Sequence, residues 1–221
     1  MQSFKVFAVL LNYPQEDWLA ALPELEEALA AEEDANGAAC AALAPLCAVL
    51  RAGPLIHLQE EYVATFDRNP SHSLHLYEHI HGESRERGPA LVRLMEEYNK
   101  LGLEIAEAEL PDYLPLFLEF LSLLPQEQAL VFLGEAVHVI AAVGRKLADN
   151  GSPYALVMRQ LEALSPVAAE ALSEPPVKDM DEAMELFGSG ADGLEPLLKP
   201  RPEASVVNFH PMKRPAAAGL R

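Results

Sequence analysis

The 221-residue chain has little of several features that mark common protein classes. It contains only two cysteines, Cys40 and Cys47, which are too few for a disulfide-built domain and typical of a reducing compartment. No apolar run approaches the roughly 20 residues that a membrane-spanning helix needs. The alternation of polar and β-branched residues that marks strands is also lacking. The composition therefore predicts an all-α protein without a membrane span.

Basic residues are scarce relative to acidic ones. Sixteen Lys and Arg stand against 34 Asp and Glu, which gives a formal net charge of −18 at pH 7. Nucleic-acid binding depends on Lys and Arg that neutralise phosphates, so we expect no nucleic-acid partner. The negative electrostatic field of this charge would attract a basic partner, although a requirement for solubility alone produces the same excess of acidic residues.

The chain starts with an apolar stretch over residues 1–11 that ends at Asn12, Tyr13 and Pro14. This stretch lacks a basic leader and a small-residue cleavage site. We therefore expect a first helix, not a signal peptide, and a cytoplasmic protein.

Helical periodicity and breaker residues predict the order of the elements. After the first helix, we predict helices over 15–33, 38–51, 55–66, 74–81, 89–101, 115–124, 127–149 and 154–164. Beyond Pro166, seven further prolines and few aromatics leave too little apolar surface to offset the entropy lost on ordering. We predict a single helical bundle domain over residues 1–165 and a Pro-rich, flexible and mostly irregular tail over residues 166–221.

Polar residues are unusually dense between Leu76 and Gly88, where the sequence is LYEHIHGESRERG. The run holds two histidines, three glutamates and two arginines and is flanked by apolar residues on both sides. One interpretation is a corner between two helices, in which Ser84 caps the second helix and Glu78 pairs with Arg85 or Arg87. The mixed donors and acceptors beside Tyr77 also favour a binding surface.

A catalytic metal is an alternative. His75 and His79 lie four residues apart, and His81 and Glu83 follow closely. The zinc-protease pattern needs His-Glu-x-x-His on one helix, whereas Glu78 directly precedes His79, so their side chains would point about 100° apart. A metal-dependent hydrolase that uses His75, His79, His81 and Glu83 is the second hypothesis.

Four stretches together resemble a known family. The run LYEHIHGESRERG is followed by ELPDYLPL over 109–116 and LEFL over 118–121, and LNYP stands earlier at 11–14. This combination resembles the NarJ-type nitrate reductase molybdenum cofactor assembly chaperones, within the redox enzyme maturation chaperones of the TorD and DmsD kind. The resemblance covers roughly residues 1–165. The wider group has an acidic residue followed by Asp-His where this chain has His79-Ile80-His81-Gly82.

The resemblance implies a TorD-like helical bundle that is not an enzyme and holds no cofactor of its own. It implies binding to the N-terminal segment of the apo catalytic subunit of a respiratory nitrate reductase, before insertion of molybdenum cofactor and iron-sulfur cluster and before membrane attachment. Cofactor-delivery proteins are further candidate partners. We expect the partner-binding residues to be Tyr77, Glu78, His79, His81, Glu83, Arg85, Arg87, Asp112 and Tyr113.

Overall fold

The computed structural model describes residues 1–31, 38–82, 84–105 and 109–172. Helices occupy most of these ranges, and the one β-type pairing within them is an isolated antiparallel bridge between His75 and Tyr113. The prediction of an all-α fold is confirmed.

Ten α-helices follow one another along these ranges. Their bounds are α1 Gln2–Leu10, α2 Glu16–Ala20, α3 Leu22–Ala31, α4 Ala38–Ala52, α5 Leu55–Tyr62, α6 Leu76–His81, α7 Arg87–Lys100, α8 Leu114–Leu123, α9 Gln126–Asp149 and α10 Ala155–Leu164. A π-helical turn over Val63–Asp67 extends α5, and a 3₁₀ turn over Pro70–His72 precedes α6.

The core is built around α9, the longest helix, which packs most extensively against α10, while α1 packs against α8. The two helices α9 and α10 approach closely at Gly144, where an added Cβ would come within 2.7 Å of Met158 Cβ. Glycine is needed there because any larger side chain would push the helices apart. Leu118, Leu133, Ile140 and Leu147 are fully buried at the centre.

The predicted helix over 15–33 is wrong in one respect, because it is broken at Ala21. The Ala21 N–H bonds to Trp18 O, which closes α2, and α3 begins at Leu22 with Pro23 in its first turn. Proline has no N–H to continue a preceding helix and is tolerated in the first turn of a new one. The residues from 32 to 33 lie outside the described ranges.

The helix predicted over 74–81 begins two residues late. The Leu114 N–H donates to Leu74 O at 2.8 Å, and the Leu76 N–H donates to Asp112 O at 3.0 Å. These two bonds hold residues 74–76 extended beside the chain that leads into α8, so α6 starts only at Leu76. A contact between distant parts of the chain overrides the local helical pattern here.

The first residues of the predicted tail lie against the helical body. Val167 contacts α9 at Gly134, and the Glu170 N–H donates to His138 Nδ1 at 3.0 Å. Residues 165–172 contain no helix or strand, and the rest of the tail lies outside the described residues. The domain boundary at residue 165 therefore stays a prediction. Within the described ranges, no helix combines the length and apolar character needed to cross a membrane.

Candidate functional site

Helix α6 is short, and its faces differ. Leu76, Tyr77 and Ile80 fall within about 100° of arc, whereas Glu78 and His79 lie outside that arc. The first face borders a groove between helices. The side chains on the other face belong to a network of polar contacts that ties α6 to neighbouring segments of the chain.

We call this network the polar joint and define it by Ser73, His75, Glu78, His79, Arg87 and Asp112. Asp112 is its most buried member, with no exposed surface. Its Oδ2 accepts a hydrogen bond from the Tyr77 N–H at 3.0 Å, which satisfies an otherwise free donor in the first turn of α6. His75 Nδ1 lies 3.4 Å from Asp112 Oδ1, an ion-pair distance that is long for a hydrogen bond.

A second set of contacts in the joint centres on Glu78. Arg87 Nη2 donates to Glu78 Oε1 at 3.1 Å, and Ser73 Oγ donates to Glu78 Oε2. His79 Nε2 donates to the Ser73 carbonyl at 2.8 Å. Both sides of the bend between α6 and α7 are thus tied to the segment before α6.

The charges of the joint shift one another's pKa values. Contact with the Asp112 carboxylate raises the pKa of His75, although burial opposes the shift. Burial alone would raise the pKa of Asp112, but the nearby His75 side chain and the hydrogen bond from the Tyr77 backbone outweigh it and lower that pKa. For Glu78, burial is likewise outweighed by Ser73 and Arg87, and the pKa is lowered. The joint therefore favours ionised carboxylates facing cationic partners.

Tyr113 connects the polar joint to Tyr62 and, through it, to Leu11. Its ring packs on that of His75 with centroids 5.3 Å apart, and its hydroxyl lies 3.1 Å from that of Tyr62. The Tyr62 hydroxyl donates to Leu11 O at 2.8 Å, in the LNYP stretch. Leu11 and Tyr113 come from two of the stretches that carry the family resemblance, and Tyr62 connects them.

The α6–α9 groove lies on the other face of α6 and has a volume of about 540 Å³. Its apolar lining comes from four helices, through Leu76, Ile80, Leu94, Phe117, Phe132, Ala136 and Val139. Tyr77 and three charged residues, Arg93, Glu97 and Glu135, complete it. Ile80 is 48% exposed and adds accessible apolar surface at the groove. This arrangement suits an apolar segment with charged residues at its edges.

The predicted partner-binding residues occupy different places. Glu78, His79, Arg87 and Asp112 lie in the polar joint, and Tyr113 borders it through His75. Tyr77 lines the groove, with His81 against its ring at 5.7 Å between centroids. Arg85 is exposed and forms no ion pair with any residue in the described ranges. Glu83 lies outside the described residues.

Most of the groove was missed by sequence reasoning. The missed residues are Leu76, Ile80, Arg93, Leu94, Glu97, Phe117, Phe132, Glu135, Ala136 and Val139. One signal was present, because Ile80 is the single apolar residue within the polar run after Tyr77 and lies four residues after Leu76. The remaining residues come from three other helices, and their convergence depends on tertiary packing.

The hydrolase hypothesis gains no support from this geometry. His79 is bonded to a backbone carbonyl, and His75 faces Asp112. Within the described ranges, no group of three or more His, Cys, Asp or Glu side chains is arranged to hold a metal ion. Glu83, its fourth proposed ligand, is outside those ranges.

Comparisons with known proteins agree on one family. The family model for the nitrate reductase delta subunit matches residues 13–158. A protein of Escherichia coli K12 described as the nitrate reductase molybdenum cofactor assembly chaperone NarW is 41% identical over 180 residues, covering 80% of this chain and 72% of that protein. The chaperone NarJ of the same strain is 36% identical over 161 residues, covering 73% of this chain and 68% of NarJ.

A solved structure from Archaeoglobus fulgidus, described as a redox enzyme maturation protein, is similar with a TM-score of 0.56. It is 24% identical and covers 74% of this chain and 92% of that chain. At this identity the likeness supports the helical fold alone.

Proposed function

Because this chain belongs to the nitrate reductase delta subunit family, whose matched relatives are nitrate reductase molybdenum cofactor assembly chaperones, we propose that it serves one nitrate reductase as its dedicated chaperone. It binds the N-terminal segment of the apo catalytic subunit in the cytoplasm. There it assists insertion of molybdenum cofactor and iron-sulfur cluster before the enzyme attaches to the membrane. It is not itself an enzyme.

The observation that carries the proposed binding site is the α6–α9 groove with its half-exposed Ile80. An amphipathic helix places apolar anchors at three- and four-residue steps into a groove of this kind. The apolar lining supplies the contact area, and the rim charges Arg93, Glu97 and Glu135 supply orientation. The net charge of −18 also favours a basic segment and speeds its approach.

Burial must supply most of the affinity. A micromolar complex needs about 8 kcal/mol of net binding free energy, while ordering a flexible segment costs about 2 to 5 kcal/mol. A few exposed charges each contribute up to about 1 kcal/mol, so they cannot meet this requirement. The groove therefore determines affinity, and charge determines selectivity and association rate.

The test is a matched pair of variants, Ile80→Glu in the groove and Ile56→Glu on α5. Ile56 is 60% exposed and does not line the groove, so both variants place a new carboxylate on an already accessible position. Binding of a synthetic peptide from the N-terminus of the catalytic subunit is measured by calorimetry. We expect Ile80→Glu to weaken binding at least about tenfold because a carboxylate is desolvated in the complex.

Ile56→Glu should leave the peptide affinity within about twofold of wild type, since surface changes away from an interface have little effect. Full-length catalytic subunit should be captured by the wild type, and removing its first residues should abolish that capture. Equal affinity of the two variants would reject the groove as the binding site. Undiminished capture of the shortened subunit would reject the N-terminal segment as the ligand.

A further inference from the structure

A second cavity lies where the π-helical turn, the 3₁₀ turn and the connection from α9 to α10 meet α4 and α5. Its volume is about 350 Å³, within the range of small-ligand sites. It shares no lining residue with the α6–α9 groove. Whatever binds in the groove therefore leaves this cavity free.

One wall of the cavity is a preformed polar surface centred on His72, which is 3% exposed. His72 Nδ1 donates to Thr65 O at 3.0 Å, and Nε2 accepts from Asn150 Nδ2 at 2.9 Å. Both ring nitrogens of His72 are thus held by groups of the same chain, which fixes the position of this wall.

Thr65 belongs to the π-helical turn Val63–Asp67, which carries α5 past the cavity. π-helical turns are rare and are frequently found at functional sites. The π-helical turn is therefore a second indication, besides the volume, that the cavity is a binding site.

The charge of the lining selects between ligand classes. Among the described residues that line the cavity, Glu61 alone is charged, and Leu46, Leu50 and Leu58 contribute apolar side chains. No Lys or Arg lines the cavity, so a phosphate or carboxylate would face Glu61 without a counter-charge. An ammonium group would instead be attracted to the Glu61 carboxylate.

We propose that this cavity binds a small organic cation with an apolar body, of the arylalkylamine class. Its ammonium pairs with Glu61, and its hydrocarbon body packs on Leu46, Leu50 and Leu58. The site is independent of the peptide-binding function proposed above.

The test is calorimetric titration of the full chain with phenethylammonium, and with phenylacetate as an anion of similar size and shape. We expect phenethylammonium to bind with a Kd of about 1 mM and phenylacetate to bind at least about tenfold more weakly. Glu61→Gln should weaken phenethylammonium about threefold to fivefold, the range of a solvent-reached ion pair. Glu60→Gln is the matched control, because this neighbouring carboxylate does not line the cavity, and it should have no effect.

The proposal is overturned if phenethylammonium does not bind at about 20 mM, if phenylacetate binds as tightly, or if Glu61→Gln leaves the affinity unchanged. Binding of the catalytic-subunit peptide to the wild-type protein is measured in the same experiments. This result tests the proposed chaperone function separately, because the cavity and the groove share no lining residue.

Discussion

The polar joint and the α6–α9 groove meet on one six-residue helix, and they differ in what their side chains contact. In the joint, Glu78, His79 and Asp112 bond to groups of the same chain. In the groove, Tyr77 and Ile80 border open space, and Ile80 is half exposed. A polar group already bonded within the chain must lose that bond before it can bind a partner, whereas the apolar surface gains on any burial.

The comparison changes how the polar run from Leu76 to Gly88 is understood. Its density of charges favoured a recognition surface, and the helix-corner interpretation was the alternative. The Glu78–Arg87 ion pair and the Ser73 bonds match the corner. We infer that the polar residues hold α6 in place and that the apolar residues between them face the partner.

The largest expected effect is on stability, from Asp112→Ala in the joint. The change leaves the Tyr77 N–H and His75 without their buried partner, so we expect the free energy of unfolding to fall by about 3 kcal/mol. Asp112→Asn keeps the shape and one acceptor and should lose about half as much. Urea unfolding followed by circular dichroism measures both. A loss below about 1 kcal/mol for Asp112→Ala would mean that the joint does not hold α6.

A smaller effect distinguishes two arginines that the sequence treats alike. Arg87 pairs with Glu78 across the bend, and Arg85 is exposed. We expect Arg87→Ala to destabilise the fold by about 1 kcal/mol and Arg85→Ala by less than about 0.5 kcal/mol. Peptide affinity should change by less than about twofold in both, because neither residue lines the groove. A large loss of peptide affinity for Arg87→Ala with unchanged stability would show that the joint is part of the recognition surface.

The smallest effect is a pH dependence from His75, whose pKa is raised by Asp112. A raised pKa in the folded state stabilises the fold below the unfolded value, near 6.5, and this contribution is lost as pH rises through the folded pKa. The stability difference between wild type and His75→Phe should therefore shrink from about pH 6 to pH 9, a range in which Asp112 stays ionised. The phenylalanine keeps a ring against Tyr113. A difference that grows with pH would show that neutral His75 is the stabilising form.

Sequence reasoning was accurate for elements determined by neighbouring residues. The end of α1 before Tyr13 and Pro14, the length of α9 and the turn at Gly151 all follow from local periodicity and breakers. It was less accurate where distant residues intervene. The bonds that join residues 74–76 to Asp112 and Leu114 delay the start of α6.

By itself, the sequence determined that this protein is all-α and that it belongs to the family of the nitrate reductase assembly chaperones, and it showed a dense run of polar residues at 76–88. These properties follow from the helical periodicity of the apolar residues and from the order of the motifs, and both can be read directly from the sequence. Tertiary structure alone decided that the polar half of the run is tied to Ser73 and Asp112 and that Ile80 joins side chains of three other helices in a groove. Both outcomes depend on contacts between residues far apart in the chain, and these form only when the core packs.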